Sequence, residues 1–406
     1  MANRKDNKGR VLKDGERQRK NGTYEFRWEE NDKRKSVYAP TLKELREKES
    51  TIQRDTLDGI QTDGRTMTLN DMYERWLPLK TNLAESTYVN YKYMYESNVR
   101  HSLGKRKIAN IKPTDIKKFY ISLRDDGFAY STIDNMHTVL YQIFKLALKD
   151  DYIRKNPCED IMREIKQSAD YEKPKGISLT TAERDAFMDF VANSRCYKHW
   201  HPIFTIFLYT GIRIGELAAL RPENIDFDNG YINITHSLSY RKKKVGKCGY
   251  IYGPTKTPTS ERYIPMLPNV KQAFLDIQKM QADKNLKCKM SINGFDDFVI
   301  LNKNGNPVHQ RLFNLAIARI SDKYNKEAEK AAKEKGEEFL PLPKFTCHSF
   351  RHTFATEYYA STNDIKSLQT VLGHSDIETT MNIYVDSQKK AILASFSKFA
   401  EKQNIK

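Results

Sequence analysis

Hydrophobic and polar positions follow two different periods along the chain. GTYEFRWEENDKRKSVYAP, from Gly22 to Pro40, holds two short aromatic-rich runs, Tyr24 to Trp28 and Ser36 to Tyr38, around the polar ENDKRK. Short alternating runs about a polar turn predict a hairpin. In TLKELREKESTIQRDTLDG, Thr41 and Glu44 form a capping box, and Leu42, Leu45 and Ile52 fall near helical spacing. A small sheet plus one helix is expected there. DGIQTDGRTM reads as a connector. From Thr68 the period becomes helical, with Leu69, Met72, Tyr73 and Trp76 on one face. A helix capped by Ser86 and two more, ending near Gly127 and Asn156-Pro157, complete about four helices.

QSADYEKPKG, residues 167 to 176, reads as a linker. The third segment opens on a helix capped by Thr180, with Glu183 reaching back. HPIFTIFLYTGIRIGELAALRPENIDFDNGYINIT predicts a buried helix, a glycine break, a second helix and a turn into a strand. Strands are expected over 231–240, 249–253 and 261–265. The segment 326–338 predicts a charged helical or mobile excursion, and the remainder is helical. The fold class is multidomain: an N-terminal small β-sheet plus helix (1–65), an all-α domain (66–165), and a mixed α+β, mainly helical domain with a C-terminal helical tail (166–406).

Composition narrows the partners. The 406 residues suffice for two or three domains with their own cores. No apolar run is long enough to span a bilayer, and the basic start lacks the apolar core of a signal peptide. The chain is expected to stay in its host's cytoplasm, without a membrane partner. With 69 Lys+Arg against 52 Asp+Glu, the formal charge is +17, which points to a polyanion. Five scattered cysteines form no CxxC pair, so neither a disulfide framework nor a zinc ribbon is expected. Arg27, Lys33, Arg34 and Lys35 would decorate the N-terminal sheet as DNA contacts. In the helical domain, Arg100, Lys105, Arg106 and Lys107 lie near the tyrosines at 88, 91, 93 and 95 and are the better contact candidates there.

HSFRHTFATEYYA places His348, Arg351 and His352 within five residues. His348 and His352 have the spacing of zinc ligands on a helix, but Ser349 stands where a metalloprotease needs its glutamate. A guanidinium there would repel a cation and welcome a phosphate, which it can grip through two N–H groups. Further on, LQTVLGHSDIETTMNIYVD has Gly373 ending a helix, His374 in the turn, a Ser375–Glu378 capping box and Tyr384. Upstream, YTGIRIGELAAL places Arg213 just past Gly211 with Glu216 three residues on, and GPTKTPTSERYIP places Lys256 in a turn between strands.

Taken together and in this order, TGIRIGEL, TKTPTSER, HSFRH and LGHSDIETTMNIY resemble the tyrosine recombinase (integrase) family. The resemblance is close over 175–390. The helical domain resembles that family's core-binding domain, and the N-terminal module resembles the arm-binding domain of phage and conjugative-transposon integrases. The opening DNKGRVLKDGERQRKNGTY is like the transposon branch. The resemblance implies site-specific recombination of double-stranded DNA through a 3′-phosphotyrosyl link and a Holliday junction, with four copies of the chain on two duplexes. An excision factor or a host DNA-bending protein would be an accessory partner. Neither cofactor nor metal is implied.

The implied roles follow the matching positions. Arg213 and Arg351 would stabilise charge growing on the phosphate, each worth ~2.7–4 kcal/mol by analogy with oxyanion donors. Tyr384 would be the nucleophile, its phenol acidified by the surrounding cations. His348 would take or position the phenol proton, Lys256 would protonate the departing 5′-oxygen, and His374 would donate to the phosphate. Glu216 would hold an arginine or base in place, and His352 would pack against the site. Tyr358 and Tyr359 compete for the nucleophile's role but lie two turns beyond Arg351 on the same helix. Ile392, Phe396 and Phe399 form an apolar stripe on the terminal helix, for docking on a neighbouring copy or within the chain. The rival readings are a type IB topoisomerase, a zinc hydrolase built on His348, His352 and His374, and a DNA-binding protein without catalysis.

Overall fold

A computed structural model describes residues 4–30, 33–57, 59, 66–168, 171, 176–243, 247–255 and 258–374. The chain divides into two compact units, Met1–Lys173 and Pro174–Lys406.

The first unit contains two hydrophobic cores. Strands β1 (Glu16–Gln18), β2 (Tyr24–Glu30) and β3 (Lys33–Ala39) form an antiparallel sheet in that order, covered by helix α1 (Leu42–Leu57). Alternation puts Tyr24 and Phe26 against Leu42, Leu45 and Ile52. The expected box begins α1: the Glu44 N–H donates to Thr41 Oγ1 at 3.2 Å, and the Thr41 hydroxyl donates back to the Glu44 carboxylate at 3.1 Å.

The second core belongs to α2 (Leu69–Trp76), α3 (Glu85–Asn98), α4 (Pro113–Asp125), α5 (Tyr130–Lys149) and α6 (Ile161–Lys166). Two local expectations need correction. The residue before α3 is Ala84, with no side-chain cap, so Ser86 lies inside the helix. α5 stops at Lys149, and Asp151 turns the chain with φ 55°, well before Asn156. The tyrosines divide as their spacing on a helix requires: Tyr95 is buried and stacked on Tyr73, Tyr91 stacks on Trp76, and Tyr93 is exposed.

The second unit runs α7 (Thr181–Asn193), α8 (His201–Thr210), α9 (Ile214–Ala218), β4 (Ile225–Asp226), β5 (Tyr231–Ile234), β6 (His236–Lys242), β7 (Cys248–Pro254), β8 (Arg262–Pro265), α10 (Pro268–Asp283), α11 (Gln310–Lys335), α12 (Cys347–Thr362) and α13 (Ile365–Leu372). The Thr180–Glu183 box caps α7 as expected. The stretch expected as one strand over 231–240 is two. Tyr231–Ile234 pairs in the sheet β4-β5-β8, and after Thr235 the chain changes sheet to pair with β7. α8 is apolar on every side because it runs through the centre: Ile203, Phe204, Ile206 and Phe207 are all buried. The charged excursion is the outer half of α11, a continuous helix laced by pairs such as Lys333–Glu329 at 2.6 Å and ended by Gly336.

Candidate active site

Four helix ends build the site. α8 terminates at Gly211, which adopts φ 59°. A Cβ there would lie 2.4 Å from Phe354, so both the turn and the packing call for glycine. Two residues later Arg213 is the N-cap of α9, and Glu216 accepts its backbone N–H at 3.0 Å and its Nη1 at 2.7 Å. α12 carries His348, Arg351 and His352 on its first turns. α13 starts from Asp364, whose carboxylate accepts from the N–H groups of Lys366 and Ser367, and ends at Gly373 with φ 63°, delivering His374.

The final carbonyls of a helix have no partner within it. At α13, arginines take three consecutive ones. Val371 O accepts from Arg262 Nε at 2.5 Å, Leu372 O from Arg351 Nη2 at 2.6 Å, and Gly373 O from Arg213 Nη2 at 2.9 Å. Cations at this end also oppose the negative pole of the helix. Arg351, only 2% exposed, donates through Nη1 to Gly211 O at 2.6 Å as well, joining the ends of α8 and α13.

Arg351 Nη2 lies 2.7 Å from His374 Nε2. A guanidinium can only donate, so Nε2 accepts and the imidazole proton sits on Nδ1. Burial, then the Arg351 and Arg213 charges, push the His374 pKa down to about 3. Burial and the same two arginines lower that of His348. His352 sits edge-on to His348, with ring centroids 4.7 Å apart. Burial, then His348 and Arg351, bring its pKa to about 4. Its Nδ1 is buried without a hydrogen-bond partner among the described residues.

Glu216 is 3% exposed and receives Arg262 as a fork, Nη1 at 3.2 Å and Nη2 at 2.8 Å. Burial opposes its ionisation, but the Arg262 and Arg213 guanidiniums outweigh burial and hold its carboxyl below the usual range. In front of these groups opens a cleft of about 700 Å³, walled by Arg213, Ser237, Ser239, Arg241, Arg311, His348 and His374. Glu216 is the single carboxylate among the described residues lining it, so the cleft favours an anion.

The structure therefore brings together Arg213, Glu216, His348, Arg351, His352 and His374. Lys256 and Tyr384 lie outside the described residues, as do the Ser375–Glu378 box and the apolar stripe of the tail. Thr255 and Ser260, which flank position 256 in the sequence, both line the cleft. Tyr358 and Tyr359 pack against Leu368 and Leu372, and neither lines the cleft among the described residues. A zinc site on the three histidines meets a physical objection, since Arg351 occupies the His374 lone pair that a metal would need. Sequence reading missed Arg262, Arg241 and Arg311. Only Arg262 left a signal: in RYIP it shares the buried phase of the alternation with Ile264, while Tyr263 points out.

The basic candidates of the first unit divide. Arg27 and Arg34 project from the open face of the sheet. Lys35 pairs across the strands with Trp28, so alternation puts it on the α1 side, where it meets Glu30 at 2.6 Å. Lys33 stands opposite Glu30 in the register. Arg100 is held by Glu96 at 2.9 Å and by Glu74. Arg106 pairs with Asp115 at 2.9 Å, while Lys105 and Lys107 are exposed.

Comparison with known proteins fits this geometry. The model of the phage integrase family matches residues 178–391, which include all of the cleft's named groups. The chain belongs to the phage integrase family. Two further models match this integrase: the DNA binding domain of Tn916 integrase over residues 1–56, and the phage integrase N-terminal SAM-like domain over 68–124. It is 32% identical to the transposase from transposon Tn1545 of Streptococcus pneumoniae, over 98% of each chain. The transposase from transposon Tn916 of Enterococcus faecalis is also 32% identical, again over 98% of each chain. Among solved structures, the Tn1549 transposon integrase in complex with a circular intermediate DNA matches with a TM-score of 0.70 at 29% identity, covering 81% of this chain and 99% of that one. A lambda integrase dimer shares the fold at 17% identity, with a TM-score of 0.52, over 93% of this chain and 96% of that one. Within the family the chain is a tyrosine recombinase of the conjugative-transposon branch, a site-specific recombinase of a mobile element.

Proposed function

We propose that this recombinase cuts and rejoins double-stranded DNA by transesterification at Tyr384. The observation that carries the reading is the convergence of Arg213, His348 and His374 on one cleft whose arginines outnumber its carboxylate, with Arg351 buried behind it against His374. The Tyr384 phenol oxygen attacks the scissile phosphorus, and the bond from phosphorus to the 5′-oxygen breaks. His348, kept neutral by burial and by neighbouring arginines, is suited to take the phenol proton. Lys256 gives a proton to the departing 5′-oxygen. Arg213 and Arg351 stabilise the added negative charge, and His374 donates from Nδ1. One ester replaces another, so a second strand's 5′-hydroxyl can reverse the step on a new partner without ATP.

The DNA complex of the Tn1549 relative supports duplex DNA as the substrate. In this reading residues 1–65 bind arm-type sites, 66–165 clasp the core site, and 166–406 perform catalysis. Four copies act together through a Holliday junction, with the terminal helix as the link between neighbours and an excision factor or DNA-bending protein setting direction.

The test is covalent capture. Element-end DNA nicked near the scissile phosphate is incubated with the chain in EDTA and resolved on a denaturing gel. A protein–DNA band that is absent in Tyr384→Phe supports the reading. A band that persists in the variant moves the nucleophile, and no band with either protein on bound DNA overturns transesterification.

A further inference from the structure

We infer that Arg262 is a positioning residue of the recombination reaction, one that neutralises Glu216 so that Arg213 stays available to the scissile phosphate. This rests on the transesterification reading. Arg262 lies on β8, 6% exposed, and every described partner it has belongs to the frame of the cleft. Its two terminal nitrogens fork onto both Glu216 oxygens, at 3.2 and 2.8 Å. Nε reaches Val371 O at 2.5 Å, and Nη1 also reaches Ser260 O at 3.0 Å. A Cβ on Gly373 would come within 3.1 Å of the same guanidinium.

Electrostatics gives this arrangement its meaning. Glu216 is buried, and a buried carboxylate left without enough positive charge draws in any cation it can reach. The cation within reach is Arg213, already 2.7 Å away and with its side chain 34% exposed toward the cleft. With Arg262 in place, Glu216 is compensated from behind, and the Arg213 charge faces outward. Without Arg262, Arg213 becomes the carboxylate's sole counter-ion and is pulled back from the phosphate. The same side chain joins three chain segments, since it also holds Ser260 O, and Val371 precedes His374. Arg262 touches no substrate atom in this scheme and acts through its neighbours.

The experiment compares single-turnover covalent capture on nicked element-end DNA for the native chain, Arg262→Met, Arg262→Lys and the double variant Arg262→Met/Glu216→Gln. Equilibrium binding to the same DNA is measured in parallel. Arg262→Met is expected to slow capture by about a hundredfold, the scale of losing one aligned donor, with binding little changed. Arg262→Lys restores part of the rate, because one charge returns without the fork. The double variant is faster than Arg262→Met by about tenfold, because the carboxylate that captured Arg213 is gone; that recovery is not expected if Arg262 only braces the loops. Capture by Arg262→Met should also recover relative to the native chain as pH falls and Glu216 takes up a proton. A double variant no faster than the single one, with a flat pH ratio, overturns the assignment and leaves transesterification standing. Absence of native capture on bound DNA overturns both.

Discussion

Arg351→Lys separates the geometry of this site from its charge. The guanidinium serves Gly211 O through Nη1 and both Leu372 O and His374 Nε2 through Nη2, at 2.6, 2.6 and 2.7 Å. Lysine keeps the positive charge but offers one ammonium nitrogen in place of two nitrogens on a rigid fork. At least one of the two buried carbonyls must then go without its donor, at a cost of ~1–3 kcal/mol. Expressed as local opening, that is roughly a five- to hundredfold increase in amide exchange over α13, the helix whose C-terminal end Arg351 holds. Hydrogen–deuterium exchange on residues 365–373 reads it directly, with α10 as an internal control because it packs on α8 from elsewhere in the core. Covalent capture should fall by about 10²–10³ in the same variant, since the remaining charge no longer sits where the phosphate needs it. Native exchange across 365–373 would refute the clamp. Equal acceleration in α10 would do so too, because the loss would then be global.

Further consequences can be measured independently. His374 and His352 have folded pKa values near 3 and 4, below the unfolded value of about 6.5, so below that value the unfolded chain binds protons that the folded chain does not. Stability of the second unit should therefore fall as pH drops from about 6.5 toward 4, and His352→Phe should flatten the urea-midpoint profile across that window; an unchanged slope would show that this ring is not the source. Gly211→Ala combines a left-handed backbone with a contact at 2.4 Å, and should cost about 2–4 kcal/mol, seen as a fall in Tm of several degrees. Replacing Lys35, held by Glu30, should change DNA affinity less than replacing Arg34 on the open face, which a salt-dependent binding titration distinguishes.

What the sequence revealed and what it hid divide along range. Thr180 with Glu183, Thr41 with Glu44, and Gly211 followed by Arg213 are local arrangements, and local chemistry is written in neighbouring letters. The grouping of His348, Arg351 and His374 was legible because the family's boxes keep their order along the chain. For Arg262 the alternation of RYIP could mark burial but not role: its partners at Glu216 and Val371 stand far away in the sequence. The division of 231–240 into two strands was hidden for the same reason, since each half is called to a different partner. Arg100 shows the same limit of range from another side. A basic residue in a basic run reads as a surface contact until the carboxylates that hold it, Glu96 and Glu74, are brought in by folding.

The arginines that close α13 bind main-chain oxygens, and a main chain is the same whatever side chains it bears. No single substitution within Leu368–Leu372 can delete those acceptors. What evolution must preserve there is a helix that stops on time and a residue able to turn left at position 373. The outward letters of α13 are then free to drift, and the helix could be exchanged for a relative's while the arginines keep their aim. A mobile element moving between hosts would thus carry a reaction centre whose alignment is indifferent to much of its own spelling.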